Sequence, residues 1–185
     1  LDPLMGLDQN YVLDGYEPRD VERGARIVAI LPSKPMAVLQ MPRGNLEGIY
    51  PRALSLQFVM TKIVLGEFDE AFRMMRTHKV DLNLLVDLDP VNFLEHGIGH
   101  FFQQVTSIDS LNLFISGLQD WNITQSRFPI PPWFRQEKME YKEGTTSFDF
   151  STKVNQVCRK ARSTMLEIER RGEKPEGRFL LPILS

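Results

Sequence analysis

The residues best spaced for chemistry are His96 and His100, in the run Glu95-His96-Gly97-Ile98-Gly99-His100. Histidines four apart on a helix project to one side and can share a metal ion. The order departs from the zinc-protease pattern, in which a glutamate follows the first histidine, and Gly97 and Gly99 loosen any helix that would hold the rings. A metal site also needs a third ligand, and spacing brings neither His78 nor Cys158 to it. The expectation is surface or capping histidines without metal or cofactor, with a small metalloenzyme as the rival. Cys158 falls on an apolar helical stripe with no base beside it, as a small buried hydrophobe does and an activated thiol does not. Arg43-Gly44-Asn45 lacks the strand-to-helix glycine pattern of a phosphate cradle and reads as a hairpin turn. No catalytic constellation emerges.

Two further features bear on binding. Lys153, Arg159, Lys160, Arg162, Arg170, Arg171, Lys174 and Arg178 face only Glu167, Glu169, Glu173 and Glu176, a local charge of +4. The interleaved glutamates suit the solvated face of an amphipathic helix, and direct RNA contact is the alternative. Trp133 and Phe134 stand together in a loop-like stretch, where aromatics dock either onto a partner or back onto their own domain. Both outcomes are open at this point.

The elements that position these residues change character along the chain. Residues 1–24 are acidic and punctuated by Pro3, Gly6, Gly15, Pro18 and Gly24, which predicts a loop or linker. Ile27–Leu31, Met36–Met41 and Leu46–Ile49 are short apolar runs separated by Pro32-Ser33-Lys34-Pro35 and Pro42-Arg43-Gly44-Asn45. They predict an antiparallel meander over residues 25–50. Three short strands bury little alone, so a larger sheet, such as the edge of a β-propeller, is their natural setting.

From Pro51 the apolar period becomes helical, with one helix to Gly66 and a second from Phe68 to about His78. The Leu65–Ala71 turn between them resembles that of tetratricopeptide-type hairpins. Further helices are expected at Leu82–Asp87, from Pro90 with Asp89 as cap, and at Ser107–Leu118, completing helical hairpins over 51–128. Residues 129–150 read as a long loop. Ser151-Thr152 then caps a helix to about Arg171 with Val154, Val157, Cys158, Ala161, Met165 and Ile168 as its core stripe, and Phe179–Leu184 opens another. The expected fold is mostly α, an irregular α-solenoid entered through a propeller edge and continuing over 151–185.

Composition permits a packed core: 185 residues, 42% hydrophobic and 25% charged. A net charge of −2 and a pI near 6.0 oppose a whole-chain grip on nucleic acid. One cysteine allows no internal disulfide, no run of about eighteen apolar residues is present, and Leu1–Gly6 lacks the basic start of a secretory signal. These features predict a reducing compartment, the cytoplasm with the nucleus as a second location, and no membrane. The start at Leu1 and the apolar run Leu180–Leu184 suggest an excerpt of a longer polypeptide.

The stretch Val38-Leu39-Gln40-Met41-Pro42-Arg43-Gly44-Asn45-Leu46-Glu47, continued by Tyr50-Pro51-Arg52-Ala53-Leu54, resembles the largest, IKAP-type scaffold subunits of the Elongator complex. The resemblance extends through Arg76–Asn83, Asn112–Phe114, Lys153–Cys158 and Leu181–Leu184. It implies a position where the second of two WD40-type propellers gives way to a helical solenoid. It implies a non-catalytic scaffold in a complex that modifies the wobble uridine of transfer RNA. The radical chemistry, with its iron–sulfur cluster, S-adenosylmethionine and acetyl-CoA, then belongs to another subunit. The implied partners are the other Elongator subunits, including the radical enzyme, with homodimerisation and transfer-RNA contact through regions outside this chain. Arg43, Gly44, Asn45, Glu47 and Arg52 match the motif, and a junction role suits them: Gly44 turns the hairpin, and Arg52 with Glu47 could tie the first helix to the strands. A coat- or trafficking-type propeller-plus-solenoid scaffold is the alternative.

Overall fold

The computed structural model describes residues 20–31, 33–131, 134–135 and 148–171. Most of the expected 1–24 linker, Pro32, Trp133, the bulk of the 129–150 loop, Lys174, Arg178 and the expected helix at Phe179–Leu184 lie outside the described residues. Within them the chain is mostly helical, with one small antiparallel sheet ahead of the helices.

Strands β1 (Arg26–Leu31), β2 (Met36–Gln40) and β3 (Leu46–Ile49) form a meander in the order β1-β2-β3. The register of β1 on β2 slips between Ile27 and Ala29, so Val28 is a bulge. Opposite residues share a face. Ile27 pairs with Leu39 and Ile30 with Ala37, which places these four side chains on one side of the sheet. Ala37 and Leu39, on the central strand, are buried, whereas Ile27 and Ile30 are 68% and 57% exposed. Gly44 closes the second hairpin at φ +89°, a conformation that favours glycine, and its N–H donates to the Met41 carbonyl at 2.8 Å.

Helix α1 (Arg52–Val64) and helix α2 (Phe68–Thr77) make the expected hairpin, separated by three residues that include Gly66 at φ +72°. Pro51 sits just outside α1 rather than within it, its carbonyl accepting from the Ser55 N–H. Gln104, exposed at the end of α5 (Ile98–Gln104), clasps the hairpin turn: its Nε2 donates 2.7 Å to the Gly66 carbonyl, and its Oε1 accepts from the Asp69 N–H. One side chain thereby satisfies a carbonyl at one helix end and an amide at the other, groups that helix termini leave without partners.

Helix α3 (Leu84–Asp87) is a single turn, followed by α4 (Pro90–Asn92), a π-helical turn at Phe93–Gly97 and α5 (Ile98–Gln104). Asp89 caps this run, accepting from the Asn92 N–H at 3.0 Å. Both Phe93 and Gly97 face inward in the π turn. A Cβ on Gly97 would lie 3.1 Å from Phe68 Cζ and from Phe93 Cδ2, so glycine is what allows the turn to approach α2. Helix α6 (Ile108–Ser116) starts at a Ser107 cap, and α7 (Lys153–Arg170) closes the described fold. The core is organised around Phe101, which has no exposed surface and meets the rings of Phe68, Phe72, Phe93, Phe102 and Phe114 at centroid distances of 4.8–6.1 Å.

Candidate functional site

Two arrangements of polar and aromatic groups position the elements relative to one another. The first is the step from sheet to helices. Only Tyr50 and Pro51 separate β3 from α1. The Arg52 guanidinium donates 2.9 Å to the carbonyl of His78, the residue that ends α2, and lies 5.0 Å over the Phe128 ring. Tyr50 packs on the His78 ring at a centroid distance of 4.9 Å. A cation at a helix C-terminus complements the partial negative charge of its free carbonyls. Burial, and secondarily the Arg52 charge, hold His78 below the usual histidine range, so a neutral imidazole faces Tyr50. The expected Arg52–Glu47 contact is not formed among the described residues: Glu47 instead accepts from Asn45 Nδ2 at 2.9 Å, which stiffens the Arg43-Gly44-Asn45 turn. Arg43, Gly44, Asn45 and Glu47 therefore gather at the hairpin tip, and Arg52 joins a different cluster.

The second arrangement is deep in the helical part. Lys153 and Asp87 are both buried, with Nζ 2.8 Å from Oδ1. Lys153 also donates to the Trp121 carbonyl at 2.6 Å, and Asp87 Oδ2 accepts from the Ile123 N–H at 2.9 Å. Burial pushes the Asp87 carboxyl above its usual range, against the opposing pull of the Lys153 ammonium and the Ile123 N–H. Nearby, buried Asn83 donates to the Gly117 carbonyl and accepts from the Gln119 N–H. Asp120 accepts from the Val154 N–H at 2.8 Å. These contacts fasten α3, the end of α6, the 119–125 segment and the start of α7 to one another.

Lys153 is thus no part of the solvated basic face on which its charge places it. It lies four residues before Val157 and eight before Ala161, at the head of the buried stripe, and Asp87 interrupts the otherwise apolar Leu84–Leu88. Both spacings are legible in the sequence and could have revealed the pair. The expected Ser151-Thr152 cap also shifts. Thr152 makes no capping bond to α7; Asp149 caps the 3₁₀ turn Phe150–Thr152, and Asp120 supplies the acceptor at the α7 start.

The remaining candidates are dispersed. His96 and His100 are exposed, and among the described residues no three His, Cys, Asp or Glu side chains come together as a metal site. Cys158 is half-buried, its thiol raised by burial and then by Asp120. Phe134 is fully buried in the helical core, while its neighbour Trp133 lies outside the described residues. Among the described residues no helix is long and apolar enough to cross a membrane.

A solenoid geometry entered from a sheet agrees with comparison to known proteins. Residues 52–185 match the family model described as ELP1 alpha-solenoid, the matched segment opening on the first residue of α1. The chain belongs to the ELP1 alpha-solenoid family. Its relatives include Elongator complex protein 1 of Schizosaccharomyces pombe, 42% identical over 141 residues, covering 76% of this chain and 11% of that protein. The corresponding protein of Oryctolagus cuniculus is 33% identical over 180 residues, 97% of this chain and 12% of its own length. That of Saccharomyces cerevisiae is 38% identical over 152 residues, 76% of this chain and 11% of its own length. The chain therefore spans about one-ninth of these ELP1 relatives. The ELP1 match begins at Arg52, so the sheet precedes the matched solenoid rather than forming part of it.

Proposed function

We propose that this chain is the junction segment of a non-catalytic scaffold subunit in an Elongator-type complex that modifies the wobble uridine of transfer RNA. In this reading residues 25–50 complete a blade of a WD40-type propeller, and 51–128 and 151–185 begin a tetratricopeptide-like solenoid. The scaffold then positions the radical catalytic subunit and the accessory subunits, works in the cytoplasm and nucleus, and uses regions outside this chain to dimerise and to meet transfer RNA.

The observation that carries the reading is the two-residue step from β3 to α1, locked by Arg52 onto the His78 carbonyl and Phe128 and by Tyr50 on the His78 ring. So short a connector with long-range fastening transmits orientation instead of acting as a flexible tether. The half-open apolar sheet face, with Ile27 and Ile30 exposed beside buried Ala37 and Leu39, supports a sheet that continues beyond these strands. In a junction role Arg43, Gly44, Asn45 and Glu47 shape the last hairpin and Arg52 sets the angle of the first helix.

The test is affinity purification of the full-length protein with a flexible Gly-Ser insertion after Tyr50, alongside the unmodified form. The unmodified protein is expected to recover the radical subunit and to restore wobble-uridine modification in cells lacking its own copy. The insertion is expected to retain partners on each side but to lower modification. Recovery of vesicle-coat components in place of the radical subunit, or full modification with the insertion present, would refute the proposal.

A further inference from the structure

Residues 119–130 follow α6 with little secondary structure of their own, a single 3₁₀ turn at Ile123–Gln125. Their backbone-to-backbone hydrogen bonds are local: the Ile123 carbonyl accepts from Ser126, Arg127 and Phe128, and among the described residues none reaches another element. Side chains supply the fastening instead. Asn83, just ahead of α3, accepts from the Gln119 N–H, and Asp87 of α3 accepts from the Ile123 N–H. Lys153 of α7 donates to the Trp121 carbonyl, and Asp120 accepts from the Val154 N–H. At the far end the Arg52 guanidinium of α1 lies over the ring of buried Phe128. Three regions distant in sequence thus hold one segment by point contacts, with no ladder to retain it when a contact is lost. Segments built this way open at a lower free energy than the core does.

We propose that residues 119–130 are a strap that opens and closes as one unit with the first turns of α7, and that Arg52 is its outer fastening. Opening separates the start of α7 from α3 while the aromatic core around Phe101 stays packed. It breaks the Lys153–Asp87 pair but returns both charges to water, which lowers its cost. The guanidinium that covers Phe128 also holds the His78 carbonyl at the end of α2. A change in the angle between the sheet and the first helical hairpin therefore loosens the strap, and through it α7. The inference rests on these contacts and not on which assembly the chain serves.

Amide hydrogen exchange of the full-length protein, read by mass spectrometry, tests the strap. In the parent, peptides covering residues 119–130 and 154–160 are expected to share one opening free energy, lower than that of peptides around Phe72 in α2 and Phe101 in α5. Arg52→Met keeps the apolar stem and removes the guanidinium, and should speed exchange in both peptides by one common factor of about threefold or more. Asp120→Ala, which removes the acceptor of the Val154 N–H at the other end, should likewise speed both, the Phe128 end included. Arg73→Met, an exposed change on α2, should alter neither. Acceleration by Arg52→Met that stops at the Phe128 end, or by Asp120→Ala that stops at the start of α7, means separate openings and overturns the proposal. So does parent exchange in residues 119–130 as slow as that around Phe72 and Phe101, which would tie the segment to global unfolding. Each variant decides by itself, so misfolding of one leaves the other to decide.

Discussion

Lys153 Nζ stands 2.8 Å from Asp87 Oδ1 across 66 residues of sequence, with neither side chain exposed. Desolvating two charges is costly, and here the cost is offset by further bonds from Lys153 to the Trp121 carbonyl and from the Ile123 N–H to Asp87. Removing one partner of such a pair is strongly destabilising, whereas replacing both by apolar groups of similar volume is often neutral.

Breaking the pair from one side should therefore be far worse than removing it whole. Lys153→Met leaves Asp87 buried without its counter-charge and is expected to cost about 3–5 kcal/mol, whereas the Asp87→Leu/Lys153→Met double variant should recover most of that loss. A double-mutant cycle by denaturant unfolding measures both. Additive losses would mean that the two charges are not coupled.

The junction carries a pH dependence of predictable sign. His78 is held below its ordinary value of 6.5, chiefly by burial and then by Arg52. The unfolded chain consequently binds a proton more readily than the folded one. The contribution of neutral His78 is fully present above pH 6.5 and is lost as pH falls through and below that value. Thermal melts at pH 7.5 and 5.5 should show a smaller decrease for His78→Gln than for the parent, because the Arg52 bond goes to the backbone carbonyl and survives the substitution. An identical decrease in both would remove His78 as the source.

Phe101 is the hub of the aromatic core, with five rings around it and no exposed surface. Phe101→Ala is expected to cost about 3–5 kcal/mol, from lost burial and from the cavity left among side chains that cannot all collapse inward. Phe101→Leu, which keeps much of the volume, should cost clearly less in the same unfolding assay. Equal losses would indicate that ring contacts, rather than volume, dominate.

Ser55 presents the opposite case. Its hydroxyl is buried in α1 and is the one buried side-chain polar atom among the described residues without a hydrogen-bond partner. Ser55→Ala removes that unpaired group and adds helix propensity, so stability should rise by about 1 kcal/mol. A decrease in the unfolding midpoint would show that the hydroxyl is satisfied in solution.

Much of this architecture was legible one segment at a time. The alternation at Met36–Gln40, the glycine turn at Gly44, the three- and four-residue spacing through α1 and α2, and the Asp89-Pro90 start are local signals, and each acts through backbone geometry within a few residues. The extended motif of Val38–Glu47 and Tyr50–Leu54 pointed to the family for the same reason, being contiguous in sequence. The tertiary structure alone decided which distant groups meet. Arg52 reaches a carbonyl 26 residues away and not the nearby Glu47, Gln104 satisfies the Gly66 turn 38 residues earlier, and Lys153 leaves a run of basic surface residues to neutralise Asp87. Charge and spacing show that a residue needs a partner. Only the packing of helices against one another brings one chain-distant partner within bonding distance while excluding water from the others.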